Sequence, residues 1–210
     1  MHTNKPSTRR QRNHEATIQA SLSAARAIMR EEGVAALSMH ELARRMDMRA
    51  PSLYNYFSSK MEIYDSLFRL GFSLYDQHLT VNLKASTNWR DDLRIIIESY
   101  MSFALQNPEL YQLCFERPVP GFVPSQESLD LSFSILHRSY QRAEQMKNEL
   151  HTGLSGQEIV NLVIAISHGL TAMHIANEPH LPVGQGRFGS LIPIVSSMIE
   201  NTLSVKGEAP

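Results

Sequence analysis

The chain predicts an all-α fold, and three observations carry that prediction. Apolar residues recur at three- and four-residue intervals through most of the 210 positions, the spacing that lines one face of a helix. Gly and Pro cluster between those runs. No segment alternates with the period of two that a half-buried strand needs. With 42% hydrophobic residues the chain can build a small domain and a larger one, each with a core.

Each element has its own signal. Residues 1–13 are polar, include Pro6 and lack periodicity, so they read as a disordered arm. Ile18, Leu22, Ala25 and Met29 predict a helix over 14–32, which Gly33 stops. Ser38 is suited to cap a second helix, with Glu41 completing a capping box and Leu37 and Leu42 placed as a hydrophobic staple. The turn at 46–48 needs a residue at positive φ, and Asp47 is the one that tolerates it. A short third helix follows near Ala50, with Pro51 in its first turn. The fourth spans 59–84, with Ile63, Leu67, Leu70 and Leu74 as its stripe. Further helices are expected over 89–106, 109–115, 126–151, 156–177 and 190–205, about nine in all. The loop at 116–125 holds Pro118, Pro120, Gly121 and Pro124, and Pro193 fits only the first turn of the last helix.

Residues 38–60 combine a helix, a tight turn, a second short helix and a basic residue opening the next. This is the layout of a DNA-binding helix-turn-helix, whose second helix enters the major groove. Leu53 and Phe57 are expected to point inward. Arg49, Ala50, Pro51, Ser52 and Asn55 fall at the exposed face. Arg49 suits a guanine edge, Asn55 an adenine or a phosphate, and Ala50 and Pro51 thymine methyls. Charge agrees with the motif: residues 1–60 hold ten Lys/Arg against five acids, while the rest of the chain is net acidic. That asymmetry suits a small nucleic-acid module on a larger body. The basic arm, with Lys5, Arg9, Arg10 and Arg12, either lies in a minor groove or adds nonspecific attraction.

The run Leu53-Tyr54-Asn55-Tyr56-Phe57 followed by Lys60 resembles the signature of the TetR family of bacterial transcriptional regulators. The resemblance implies that Tyr54 and Lys60 contact the DNA backbone, and that Ser38 and Met39 offer helix N-terminal N–H groups to a phosphate. It departs from the family at Asp47, where Gly is usual, and at Arg49, where a Ser or Thr cap is common. The segments NPELYQLCF, RPVPGF and ISHGL resemble a C-terminal subtype named for a Trp-His-Gly signature, with Ser167-His168-Gly169 here. What the resemblance implies is a helix-turn-helix domain over 14–58 and a helical effector-binding and dimerisation domain over 59–206. The implied protein is a cytoplasmic homodimer joined through its last two helices. It binds a double-stranded DNA operator and is released from it by an unknown small molecule. The fourth helix, shared by both domains, is the implied lever. An activator, or a ligand-binding protein with a vestigial motif, is the alternative.

In the larger part, polar-tipped residues interrupt the apolar runs. Tyr100, Phe103, Tyr111, Phe115, Phe133, His137, Tyr140 and His168 are candidate effector-pocket residues, since small-molecule sites are mostly apolar with a few polar groups. Ordinary core packing is the alternative reading for each. No catalytic residue, cofactor or metal is expected. No His pair has i, i+4 spacing, Cys114 is the single cysteine, and no Gly-rich phosphate loop or HExxH occurs. No stretch reads as a membrane span, and the N-terminus lacks the apolar run of a secretory signal.

Overall fold

The computed structural model describes residues 8–147 and 149–204. It is all-helical among those residues, with no strand. Lys5 of the basic arm and residues 205–206 lie outside them. The chain divides into two compact units, Met1–Gly71 with Glu109–Ser128, and Phe72–Pro108 with Leu129–Pro210.

In unit 1, helix α1 spans Arg9–Glu32 and starts five residues before the sequence suggested. The reason is local. Thr8 accepts from the Gln11 backbone N–H while the Gln11 side chain accepts from that of Thr8, a complete capping box. Arg9, Arg10 and Arg12 therefore sit on a helix, whereas the sequence suggested a disordered arm. Gly33 ends α1 at φ 96°, a region that favours glycine. A 3-10 turn, Val34–Ala36, leads to α2, Met39–Arg45. Ser38 caps α2 by accepting from Glu41 N–H at 3.2 Å. The reciprocal half of the expected box is replaced. The Glu41 carboxylate accepts instead from Arg44 and Arg45 at 2.7–2.8 Å. Asp47 takes the turn at φ 50°, as its position required. Helix α3 is a single turn, Ala50–Leu53, with Arg49 at its N-cap and no side-chain cap bond. Leu37, Leu42, Leu53 and Phe57 are buried together with Ala25, Ile28 and Met29 of α1.

Helix α4, Lys60–Leu83, crosses the boundary between the units at Gly71. Its first half buries Ile63, Tyr64, Leu67 and Phe68. Helix α6, Pro108–Tyr111, runs into a wide turn, Gln112–Glu116, closed by Arg117 N–H on Gln112 O five residues back. The sequence assigned all of 59–206 to the second domain, but the stretch from Glu109 to Ser128 clusters with unit 1. The side chains give the reason. The Glu109 carboxylate, fully buried, accepts from Arg26 Nε at 2.7 Å and Arg30 Nε at 2.6 Å. Phe122 lies against Tyr64 and Phe68. Asp65 accepts from the backbone and hydroxyl of Ser125. Gly71 of α4 lies close to the wide turn, for a Cβ there would sit 2.5 Å from Cys114 Sγ.

In unit 2, α5 (Trp89–Gln106) begins at the Asn88 cap and packs against α8 (Gly156–Asn177) and α10 (Ile192–Ser204). Trp89, Leu93, Ile97, Met101, Val163 and Ile199 belong to one core. Helix α7, Gln126–Gln145, stops six residues earlier than expected. The chain turns there and brings Leu150 into the same core. Within the unit, Arg142 of α7 donates twice to buried Asp92 at 2.8 and 2.9 Å. A one-turn helix, α9 (Gly186–Gly189), precedes α10, whose first turn holds Pro193. Helix α8 corrects one expectation. By length and composition it is apolar enough to cross a membrane. Its buried side is studded with Ser167, Thr171 and His174, which pack inside the unit.

Candidate nucleic-acid interface

The nine residues predicted to meet DNA all belong to unit 1, and none is fully buried. Ser38, Arg49, Pro51, Tyr54, Asn55 and Lys60 are exposed, while Met39, Ala50 and Ser52 are half-exposed. Tyr54 stands out at 55% exposed, unusual for an aromatic in so small a core. Local structure dictates this split. Leu53 and Phe57, four apart, turn inward, so Tyr54 and Asn55 between them must turn outward. Tyr56 is half-buried and its ring lies 4.9 Å from that of His14 on α1.

The arginines of unit 1 divide into two groups. Arg26 and Arg30 are committed to Glu109, Arg44 to Glu41, and Arg45 to Glu31, Glu32 and Glu41. Hydrogen bonds from Arg44 and Arg45 bring the Glu41 carboxyl down to about 2. Among the described residues, Arg9, Arg10, Arg12, Arg49 and Lys60 make no ion pair. The paired cations have their charge answered inside the protein, and the unpaired ones face solvent. Counting Lys and Arg in the sequence could not separate the groups, because most of the acids lie a helix turn or a whole helix away.

The predicted pocket residues fall in both units. Tyr111 and Phe115 belong to unit 1, their rings 5.8 Å apart. In unit 2, Tyr100 Oη and His168 Nδ1 are 3.1 Å apart, and Tyr75 contacts both Tyr100 and Phe103 edge-on. Burial pushes the Tyr75 hydroxyl well above the ordinary tyrosine range. Tyr140 donates to Asn161 at 3.0 Å. Phe133 and His137 lie on the exposed side of α7. The sequence analysis missed a cleft of about 660 Å³ in unit 2, between the end of α4 and one face of α5. Its residues are ordinary polar types whose only signal is their place on facing helices. No cluster of metal-ligating side chains occurs among the described residues.

A helix-turn-helix segment with exposed cations is thus carried by an all-helical chain. Residues 22–67 match the model of the family described as bacterial regulatory proteins, tetR family. The transcriptional activator FasR of Mycolicibacterium smegmatis is 30% identical over 95 residues, covering 45% of this chain and 43% of FasR. The chain thus matches less than half the length of such curated relatives. Over nearly the whole chain the fold is shared with solved structures. One is a Rhodococcus protein of unknown function, with a TM-score of 0.74 at 19% identity, covering 90% of this chain and 95% of that one. Another is the regulator FadR of Bacillus subtilis in complex with stearoyl-CoA, with a TM-score of 0.65 at 15% identity, covering 88% and 98%. The likeness to the tetR family thus lies in the helix-turn-helix segment, and the likeness over the rest of the chain is one of fold.

Proposed function

We propose that the protein is a homodimeric transcriptional regulator that represses by binding a near-palindromic operator and leaves it when a small molecule occupies unit 2. The observation that carries this reading is the exposed, unpaired set of Arg49, Tyr54, Asn55 and Lys60 around a capped α2 and a one-turn α3. Tyr54 and Lys60 grip phosphates together with the start of α2 at Ser38 and Met39, which fixes register. Arg49 and Asn55 read base edges, and Ala50, Pro51 and Ser52 make the close groove contacts. Arg9, Arg10 and Arg12 add charge from the first turn of α1. His14 touches Tyr56, which supports placing that turn beside the recognition segment.

Dimerisation uses the apolar side chains that α8 and α10 leave exposed: Ile164 and Met173 on one, Ile194 and Met198 on the other. Two heads in one dimer meet DNA about one helical turn apart, ~34–36 Å, or a multiple of it. An effector that binds better to a conformer with different spacing releases the operator, and one with equal affinity for both shifts nothing. The sequence offers Tyr100, Phe103, Phe133, His137, Tyr140 and His168 in unit 2, and Tyr111 and Phe115 in unit 1, as effector-contact candidates, and none of them lines the unit 2 cleft. The protein works in the cytoplasm, where its DNA is, as a regulator and not an enzyme. FasR is named an activator, which favours activation as a second reading; a reporter fused to the selected operator, with and without the gene, separates the two.

The test is anisotropy of fragmented, labelled genomic DNA against the full chain as salt rises. Binding that weakens by several orders of magnitude between about 50 and 200 mM salt, with a subset of fragments retained longest, is expected. Salt-independent or absent binding refutes the reading.

A further inference from the structure

We propose that the cleft of unit 2 is the effector site and that it takes an amphipathic organic cation. The proposal rests on the regulator reading and gives it a site and a ligand class. The cleft, about 660 Å³, is within the range of cavities that hold drug-sized molecules. One wall is the α4 face of His78, Val81 and Asn82, and the other is the α5 face that carries Asp91, Glu98 and Ser99. The spacing i, i+3, i+4 on α4 and i, i+7, i+8 on α5 makes each wall one continuous face.

The floor is polar and ordered. Ser99 is 2% exposed, and its Oγ accepts from Asn82 Nδ2 at 2.9 Å. Asn82 Nδ2 also lies 3.3 Å from His78 Nε2. An amide nitrogen only donates, so His78 Nε2 is the acceptor. Both Asn82 amide protons are thus spent within the wall. Its carbonyl oxygen has no partner among the described residues and is left to accept from a ligand.

The rim is acidic. Arg94 Nη1 lies 3.2 Å from Glu98 Oε2, and Arg94 Nη2 lies 3.9 Å from Asp91 Oδ1. One guanidinium between two carboxylates leaves one negative charge uncancelled. Val81, Ile95 and Val183 supply apolar surface beside it. A molecule with an ammonium or iminium head and a flat or chain-like apolar body answers all three features. The head meets Glu98 and Asn82, and the body covers the apolar wall. A fatty acid or an acyl-CoA brings negative charge to a negative rim and is disfavoured there.

Anisotropy of two xanthene dyes of similar size, cationic rhodamine 6G and anionic fluorescein, tests this on the full chain. Rhodamine 6G is expected to bind saturably in the micromolar range and fluorescein at least about tenfold more weakly, as opposite charge signs in one site dictate. Glu98→Gln should weaken rhodamine 6G by about threefold to fivefold, the scale of one partly exposed charge. Ala85→Trp, on the exposed turn after α4, should block the cleft without lowering the melting temperature. Equal binding of the two dyes, unchanged binding in Ala85→Trp, or no saturation by rhodamine 6G overturns the proposal. Genomic-DNA binding is measured on the same sample. Dye binding without DNA binding refutes only the regulator reading. DNA binding without dye binding refutes the cleft.

Discussion

The two units use charge in opposite ways. Unit 1 buries one carboxylate, Glu109, under two arginines and spreads Glu41, Glu31 and Glu32 over two more, yet among the described residues it leaves six cations without an ion pair, Arg9, Arg10, Arg12, Arg49, Lys60 and Arg117. Unit 2 joins helices by ion pairs such as Arg142 with Asp92 and Arg138 with Asp76, and places polar atoms in its interior. Ser167 Oγ, Thr171 Oγ1, His174 Nδ1 and Ser196 Oγ are all buried there without a hydrogen-bond partner among the described residues. His174 donates through Nε2 to Leu181 O at 2.9 Å, which leaves its other nitrogen the lone acceptor. Unit 1 holds its ion pairs within the fold and exposes the cations that lack one. Unit 2 carries unsatisfied interior polarity, a cost tolerated where a fold is not optimised for stability alone.

Substitutions sharpen this contrast. Glu109→Ala removes the buried carboxylate between two partly exposed arginines, Arg26 and Arg30, and should cost about 1–2 kcal/mol, read by thermal or urea unfolding. A loss under about 0.5 kcal/mol would mean the pair holds nothing together. Asp47→Gly relieves the left-handed turn and should stabilise by about 1 kcal/mol, with DNA affinity retained. A destabilisation would show that the Asp side chain contributes more than its backbone strain costs. Tyr100→Phe removes the hydroxyl that lies 3.1 Å from His168 Nδ1 and should cost about 1 kcal/mol or less. A larger loss would make that pair a keystone of unit 2. The smallest effect concerns pH. The folded carboxyl of Glu41 is depressed to about 2 from 4.5. Its stabilisation is therefore complete above the unfolded value and fades as pH falls from there toward 2. Glu41→Gln should flatten the melting temperature over that window and leave it unchanged above pH 6. An unaltered acid profile would show that Glu41 contributes nothing there.

The head was far more legible in the sequence than the body. Ser38, Asp47, Pro51, Leu53 and Phe57 each answer a backbone or spacing demand within a few residues, so their roles could be read along the chain. The start of α1 was missed because the Thr8–Gln11 box is hidden in a polar stretch with no apolar period. The place of Glu109–Ser128 was missed because its cause is an ion pair 83 residues away in sequence, Arg26 to Glu109. For the same reason the cleft of unit 2 was invisible: Asn82 and Ser99 become partners only when two helices face each other. Aromatic content pointed to Tyr100 and Phe103, which are 3% and 1% exposed, and not to the polar residues that line the cleft.

The account stands most directly on the division of the cations into paired and unpaired. The decisive measurement is the slope of log affinity against log salt for one retained operator fragment, in Lys60→Ala and in Arg44→Ala. Lys60 makes no ion pair among the described residues, and Arg44 is held by Glu41 at 2.7 Å. Lys60→Ala should flatten the slope by about 0.9, one phosphate contact, and Arg44→Ala should leave it unchanged. Equal slopes in Lys60→Ala and the parent, or a flattening in Arg44→Ala as large as in Lys60→Ala, would contradict it.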